Sequence, residues 1–487
     1  MSDVTDKTRD HQTRHAGTLL AVLAMSLPTV LNNVSRTLMG FVDFAMVSWL
    51  GTDAQAAITP AVLIIFCLLS VGLGTMTAVN TFASQCLGRG RPSDAAAYAW
   101  QGVILGLFFG LLCLPGVFAV PWLTGQLGHA PAVREQENAY VRWAMLSAGP
   151  TMVSYALTQF FVGVHRPWLG CVATVAANAF NVLANWLLIF GHAGCPRMGI
   201  SGAALGTVLA TVVQCGILLW FYWSAQFRRT YATHRQIGWC RRKAAGVLRV
   251  GMPVGAQFGM DILSWTVFVA VVVGRLFGTA HLAASNIVFQ YLHLSFMPAV
   301  GIGVALCAMT GKAIGRGDIE LAKRQTYHAT AVCMAYMGLC GVVFFFARTP
   351  LVKLFNSDPV VISIGAQLFV LAAVFQVFDG LGIAAMNALR GAGDTFWPST
   401  YVAVLTWMVL IGGGLAAGVA WPEAGSVGPW LMATAYIILV GMALWVRFLR
   451  GHWRKMDIFG PASGTALLAG GPSEAADGAP PALVLKE

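Results

Sequence analysis

The sequence predicts an all-α polytopic membrane protein whose 12 transmembrane helices form two six-helix lobes. Of its 487 residues, 57% are hydrophobic and only 10% are charged, whereas soluble domains carry about 25% charged residues. Apolar runs of the roughly 20 residues needed to cross a bilayer recur along the whole chain. The second half of the chain also repeats motifs of the first. Together these observations exclude a soluble globular fold.

Each expected span is an apolar run bounded by polar, basic or Gly/Pro-containing segments. The spans are predicted at residues 18–49, 55–86, 94–120, 138–163, 168–191, 199–224, 243–276, 280–314, 321–347, 361–389, 396–420 and 426–450. The predicted regions are a cytoplasmic tail (1–16), an N-lobe (17–224), a basic cytoplasmic linker (225–242), a C-lobe (243–450) and a cytoplasmic tail (451–487). Most of this last tail is rich in Gly, Ala and Pro, which predicts disorder.

An internal repeat relates the two lobes. Pro28 recurs as Pro253, GTDAQAA recurs as GTAHLAA, and the LGRG that ends at Gly90 recurs as the IGRG that ends at Gly317. Six such matches keep an offset of 225–228 residues. A duplicated unit with an even number of spans predicts two parallel lobes, related by a pseudo-two-fold axis along the membrane normal.

The charged and cysteine residues limit the function classes. Most Lys and Arg residues fall on one side of the expected membrane, which predicts that both termini are cytoplasmic. The basic residues form short clusters between spans, a pattern that indicates topology and not a nucleic-acid surface. The ten cysteines are scattered singly, and no nucleophile triad, metal cluster or nucleotide-binding loop is present. The sequence therefore predicts neither an enzyme nor a cofactor.

Only three of the 19 acidic residues fall well inside predicted spans: Asp43, Asp261 and Asp379. A carboxylate at that depth must be protonated, paired or bound to a cation, and each option couples ion binding to conformation. The alternative is a carboxylate that is hydrogen-bonded for helix packing alone.

A polar stripe in the fifth span is predicted to complete a pocket around Asp43. Asn178, Asn181 and Asn185 share one helix face, and Thr207 lies in the next span. The alternative is that these side chains only join helices to one another.

Two further residues of the first span need an explanation. Pro28 interrupts the helical hydrogen bonds and predicts a hinge, with a static kink as the alternative. Arg36 occupies the position in the N-lobe repeat that Asp261 occupies in the C-lobe repeat. Its predicted ion-pair partner is either Asp261 across the lobes or Asp43, two turns away.

Over residues 15–450 the chain resembles the multidrug and toxic compound extrusion (MATE) transporters, nearest the NorM-type bacterial branch. The first span contains SLPTV…GFVDFAMVSWLG, and each lobe has an Ala-Ala pair after its first loop. The most specific match is FQVFDGLGIAAMNALRGAGDT in the tenth span, which resembles the family's Asp-plus-LRGxGDT signature. The spacing from Pro253 to Asp261 also resembles the Pro-to-acid spacing of NorM-type members.

The resemblance implies roles for these residues. Asp43 resembles the N-lobe acid whose protonation is associated with bending at Pro28. The polar residues around that acid are matched by Asn181, Asn185 and Thr207. Asp261 and Asp379 resemble the C-lobe cation site, which implies Na⁺ as a ligand.

Three positions depart from the family pattern. Asp261 stands where the family usually has Glu, and Phe375 stands where an aromatic hydroxyl is often found. Arg36 replaces a neutral polar residue. These departures weaken the implied Na⁺ coordination more than they weaken the implied fold.

By this resemblance we expect a monomeric, secondary-active multidrug antiporter in the bacterial inner membrane, in contact with membrane lipids. It would export organic compounds, expected to be cationic, in exchange for H⁺ or Na⁺ by alternating access of the two lobes. The alternative within the superfamily is a flippase for lipid-linked oligosaccharides, which should line its cleft with cationic residues. Arg36 is the one in-span cation that we identify for such a role.

Overall fold

The computed structural model describes residues 18–126 and 128–459, and these ranges contain helices and turns but no strands. We number the membrane helices in chain order. They are α1 (Leu19–Ser48), α2 (Thr52–Gly88), α3 (Pro92–Cys113), α4 (Pro131–Ala144 and Ala148–Gly163), α5 (Pro167–Phe190), α6 (Ile200–Tyr222), α7 (Arg241–Arg275), α8 (Thr279–Gly315), α9 (Ile319–Lys353), α10 (Pro359–Ala392), α11 (Phe396–Ala420) and α12 (Val427–Arg450).

In the described ranges, 11 helices are long and apolar enough to cross a membrane without interruption. The exception is α4, which the 3₁₀ turn Met145–Ser147 divides into a polar first part and an apolar second part. Counting α4 as one span gives the predicted total of 12, and the all-α polytopic fold class is confirmed.

Ordered structure continues beyond residue 450, where the sequence placed the start of a disordered tail. His452–Lys455 form a 3₁₀ turn, and the buried Trp453 stacks on Phe448 with ring centroids 5.1 Å apart. The predicted N-terminal tail (1–16) and the rest of the C-terminal tail, from residue 460, lie outside the described residues.

The backbone repeats along with the sequence. Gly51 (φ +124°) precedes α2, and Gly278 (φ +82°) precedes α8. Likewise Gly90 (φ +70°) and Gly317 (φ +79°) follow these two helices. Glycine is the residue that adopts positive φ at little cost. The repeated motifs therefore mark equivalent turns in the two lobes.

The lobes meet where α1 packs on α8 and α2 packs on α7, which is the pairing that a two-fold axis requires. Close backbone contacts follow this seam. A Cβ on Gly88 would lie 2.2 Å from the carbonyl oxygen of Lys312, and a Cβ on its repeat equivalent Gly315 would lie 2.3 Å from that of Gln85. These contacts close the end of the bundle that carries the LGRG and IGRG loops. We call it the basic end.

Candidate functional site

The N-lobe site is built around Asp43, a residue of α1 that faces α5 and α6. Asn185 Nδ2 donates to Asp43 Oδ1 at 2.6 Å and contacts Asn181 Oδ1 at 2.9 Å. Thr207 Oγ1 lies 3.5 Å from Asn181 Nδ2. Both asparagines are buried. The structure thus brings together four of the residues that the sequence predicted for this pocket.

The Asn181 amide fits its surroundings better with its oxygen and nitrogen exchanged. Its nitrogen then donates to Asp43 Oδ1 at 2.9 Å, and its oxygen accepts from the Thr207 backbone N–H at 3.3 Å. In the described part of the chain, no cationic side chain forms an ion pair with Asp43. Neutral donors leave the carboxylate charge uncompensated, so binding a proton or a cation at Asp43 removes a costly buried charge.

Two residues of this site were missed by the sequence analysis. The buried Tyr140 of α4 lies near Thr207 and interacts electrostatically with Asp43. Gly206 of α6 leaves room for Asn185, because a Cβ there would lie 2.2 Å from Asn185 Oδ1. The sequence signals for a role of these two residues were weak, because Tyr140 follows a polar stretch and Gly206 lies in a segment already rich in small residues.

Asn178 lies outside the Asp43 pocket, which corrects the predicted set. Its Nδ2 donates to Ser35 Oγ at 2.8 Å and to the Ser35 carbonyl oxygen at 3.0 Å. Ser35 precedes Asp43 by eight residues, which is about 12 Å along a helix. Asn178, Asn181 and Asn185 do share one face of α5, but that face contacts α1 at more than one position along its length.

Around the predicted hinge, α1 is a continuous helix through the buried Pro28. The next residue, Thr29, donates from Oγ1 to the Gly301 carbonyl oxygen of α8 at 2.7 Å. One turn further, Asn33 Nδ2 donates to the Met297 carbonyl oxygen at 3.3 Å. Bending of α1 at Pro28 would therefore change the contact between the lobes.

The C-lobe carboxylates have different surroundings. Gln257 Nε2 donates to Asp261 Oδ2 at 3.3 Å, while Asp261 Oδ1 is buried without a hydrogen-bond partner. Gln257 Oε1 accepts from Arg390 Nη2 at 3.3 Å and from Ser399 Oγ at 3.1 Å. Asp261 therefore connects through one amide to a cation of α10 and to a hydroxyl of α11.

No hydrogen bond joins Asp379 to Asp261 within the described ranges. Tyr436 of α12 interacts electrostatically with both carboxylates, and its hydroxyl oxygen accepts from Thr406 Oγ1 at 2.9 Å. The described residues contain no group of three His, Cys, Asp or Glu side chains that could hold a metal ion. A Na⁺ at Asp261 or Asp379 would need further ligands from carbonyl, amide or hydroxyl oxygens.

Arg36 forms neither of its two predicted ion pairs in this conformation, within the described part of the chain. Its guanidinium carbon lies 6.0 Å from the ring centroid of Tyr155 in α4. The Arg36 side chain is exposed.

Arg390 is a second cation in this region; it lies in the LRGAGDT motif but is not among the residues predicted from the sequence. Its Nε is buried without a hydrogen-bond partner. The guanidinium interacts electrostatically with Tyr155 and Asp261. Tyr155 thus has one arginine from each lobe near it, Arg36 and Arg390.

Comparison with known proteins identifies the family. The family model for MatE matches residues 28–187 and 260–412, which together make up more than half of the chain. The chain belongs to the MatE family.

Two curated relatives carry the name "Probable multidrug resistance protein NorM". The chain is 30% identical to the one from Mesorhizobium japonicum, over 88% of this chain and 93% of the relative. It is 26% identical to the one from Chromobacterium violaceum, over 89% of this chain and 94% of the relative. The resemblance to the NorM-type branch is thereby confirmed.

Solved structures of MatE-type transporters share the fold. A MOP superfamily transporter from Pyrococcus furiosus superimposes with a TM-score of 0.81 at 18% identity, over 90% of this chain and 96% of that chain. A MATE structure in the straight conformation gives 0.81 at 19% identity, over 90% and 97% of the two chains. The arrangement of 12 helices in two lobes is that of these transporters.

Proposed function

We propose that this MatE protein is a secondary-active multidrug efflux antiporter of the bacterial inner membrane, with both termini cytoplasmic. It exchanges H⁺ or Na⁺ for organic compounds by alternating access of its lobes. The observation that carries the proposal is Asp43, a membrane carboxylate held by two neutral amides. The names of the NorM relatives support multidrug export as the activity.

The coupling follows from differential binding. A proton or cation that neutralises Asp43 changes the hydrogen bonds that join α1 to α5, while Thr29 and Asn33 join the same helix to α8. An ion shifts the equilibrium between inward and outward states only by its difference in affinity for the two states. Because α1 contacts both the ion site and the seam between the lobes, the affinity of Asp43 for the ion differs between the two states.

Efflux from proteoliposomes tests this proposal. The purified chain is reconstituted with ethidium inside, and H⁺ and Na⁺ gradients are imposed separately. We expect one gradient to drive efflux, Asp43→Asn to abolish it, and Asp53→Asn to leave it unchanged because Asp53 is exposed in the first turn of α2. Full gradient-driven efflux by Asp43→Asn would contradict the mechanism.

A second candidate is a flippase for lipids with an anionic head group, and the two arginines near Tyr155 favour it. Cationic side chains bind phosphate by charge-assisted hydrogen bonds. A fluorescent lipid-linked pyrophosphate in the same proteoliposomes distinguishes the candidates. The antiporter proposal predicts gradient-dependent ethidium export and no movement of this lipid.

A further inference from the structure

The basic end contains a cavity of about 390 Å³ between the two lobes. From the N-lobe, its wall includes Met25 of α1 and the α4–α5 turn at His165. From the C-lobe, the wall includes Lys312 and Arg316 at the end of α8. The cavity is separate from the sites around Asp43, Asp261 and Asp379, and nothing in the proposed antiport uses it.

The charges in this wall are all of one sign. Lys312, Arg316 and His165 are its titratable side chains, and no Asp or Glu lines it. Lys312 forms no hydrogen bond or ion pair with its side chain in the described part of the chain. Two cations without a counter-ion in a partly enclosed site repel each other, so an anion bound between them would be strongly favoured.

The positive charges of Lys312 and Arg316 also act on His165. Burial, together with the charges of Lys312 and Arg316, lowers the pKa of His165 to about 3. Its backbone has a positive φ of 62°, and its Nδ1 lies 3.3 Å from the Gly163 carbonyl oxygen. Because the imidazole is neutral at physiological pH, it lies beside the two cations without adding to their mutual repulsion.

Apart from Gln325, the rest of the wall is apolar. Trp168 of α5 and Leu321 of α9 line it together with Met25. A cavity of this size takes a phosphate group and a few attached carbons, with the phosphate at the cations and the carbons along the apolar side. Basic pockets between membrane helices on the cytoplasmic side are recognition sites for anionic lipid head groups.

We propose that this cavity is a binding site for a phosphate-bearing anion that bridges the two lobes at the basic end. The phosphate contacts Lys312 and Arg316 of the C-lobe and lies against His165 of the N-lobe. A ligand held by both lobes stabilises the conformation in which this end is closed, in proportion to its occupancy. Opening the basic end separates the two walls and releases the ligand.

Native mass spectrometry and thermal denaturation of the full chain in neutral detergent test the site. The compounds added are phosphatidylglycerol, phosphatidylcholine with the same acyl chains, and inorganic phosphate. The variants are Lys312→Gln, Arg316→Gln and the double variant. The matched control is Arg324→Gln, because Arg324 is an exposed cation of the neighbouring α9 and does not line the cavity.

We expect one phosphatidylglycerol to remain bound to the native chain and to raise its denaturation temperature, while phosphatidylcholine does neither. Each single variant should weaken this binding about tenfold, the loss typical of one charge-assisted hydrogen bond. Arg324→Gln should bind as the native chain does. If inorganic phosphate at millimolar concentration reproduces the stabilisation, the site is supported and free phosphate is its ligand.

Equal retention of phosphatidylglycerol by the native chain and by the double variant would overturn the proposal. So would equal stabilisation by phosphatidylglycerol and phosphatidylcholine. Circular dichroism and size-exclusion elution of each variant establish that it is folded. Because the measurement needs no ion gradient and no drug, its outcome is independent of the proposed antiport.

Discussion

The two lobes share a frame, yet their acidic sites differ in almost every contact. In the N-lobe, Asp43 is enclosed by α1, α4, α5 and α6 of the same lobe. In the C-lobe, Asp261 connects through Gln257 to Arg390, whose backbone carbonyl accepts a hydrogen bond from Thr81 of the N-lobe at 2.9 Å. The N-lobe site thus depends on one lobe, whereas the C-lobe site depends on the contact between both.

The helices that hold the two sites also differ in their hydrogen bonding. α1 and α5 are regular α-helices, whereas α7 contains the π-helical segment Phe268–Arg275 and α11 contains Thr406–Gly413. The repeat aligns this α11 segment with the part of α5 that carries Asn181 and Asn185. π-Helical insertions occur often at functional sites. The C-lobe therefore has a π-helical backbone at the level where the N-lobe has the side-chain amides of Asn181 and Asn185.

The two lobes also differ at the basic end. In the C-lobe, Arg447 of α12 donates to both carboxylate oxygens of the fully buried Asp394, at 2.7 and 2.9 Å. In the N-lobe, Phe161 packs edge-on against Phe221 and Phe227, with ring centroids 6.5 and 5.4 Å apart. An ion pair and an aromatic cluster thus fix the corresponding ends of the two lobes.

The largest effect is expected at this ion pair. Asp394→Ala should destabilise the chain by about 3 kcal/mol, because it leaves the partly buried Arg447 without its ion-pair partner. Adding Arg447→Met should recover most of that loss, since no orphan charge remains. Thermal denaturation in detergent measures both variants. If the double variant were as unstable as the single one, packing and not charge pairing would hold this end.

The next effect tests the enclosure of the N-lobe site. Asn185→Leu removes a donor to Asp43 at nearly constant volume, and gradient-driven efflux should fall by about 100-fold, the upper range for a hydrogen bond to a charged group. Asn178→Leu is the matched control, because it changes the same face of α5 away from Asp43. Equal losses in the two variants would mean that the stripe acts only in helix packing.

The sequence was informative where residues repeat or carry charge inside an apolar run. The 12 spans were predicted from apolar run length and the duplication from repeat spacing. The association of Asp43 with Asn181, Asn185 and Thr207 was predicted from the shared face of α5 and from the family resemblance. Tyr140 was missed because its role depends on how α4 packs against α6, which no local pattern encodes. Arg390 was missed because it lies near a span end, where a cation is ordinary, and only the tertiary fold directs it toward Asp261.

A smaller effect is expected at the lobe seam. A Cβ on Gly255 would lie 2.2 Å from the Val71 carbonyl oxygen, and overpacking of this kind costs about 2 kcal/mol. Gly255→Ala should therefore weaken the contact between the lobes. Because this exposes the buried Cys307 more often, its alkylation should become several-fold faster. Gly216→Ala serves as the control, since no atom lies within 4 Å of its Cβ position. Unchanged alkylation of Cys307 would show that the seam tolerates the methyl group.

The smallest effect separates the tyrosines of the two sites. Tyr436→Phe removes the hydrogen bond from Thr406 at 2.9 Å and should cost about 1 kcal/mol of stability, the usual contribution of a neutral bond. Because Tyr140 lies near Thr207 and interacts electrostatically with Asp43, Tyr140→Phe should shift the pH dependence of efflux in the reconstituted chain. Tyr436 interacts electrostatically with Asp261 and Asp379, which share no hydrogen bond within the described ranges, and Tyr436→Phe should leave that pH dependence in place. The reverse pattern would assign proton coupling to the C-lobe.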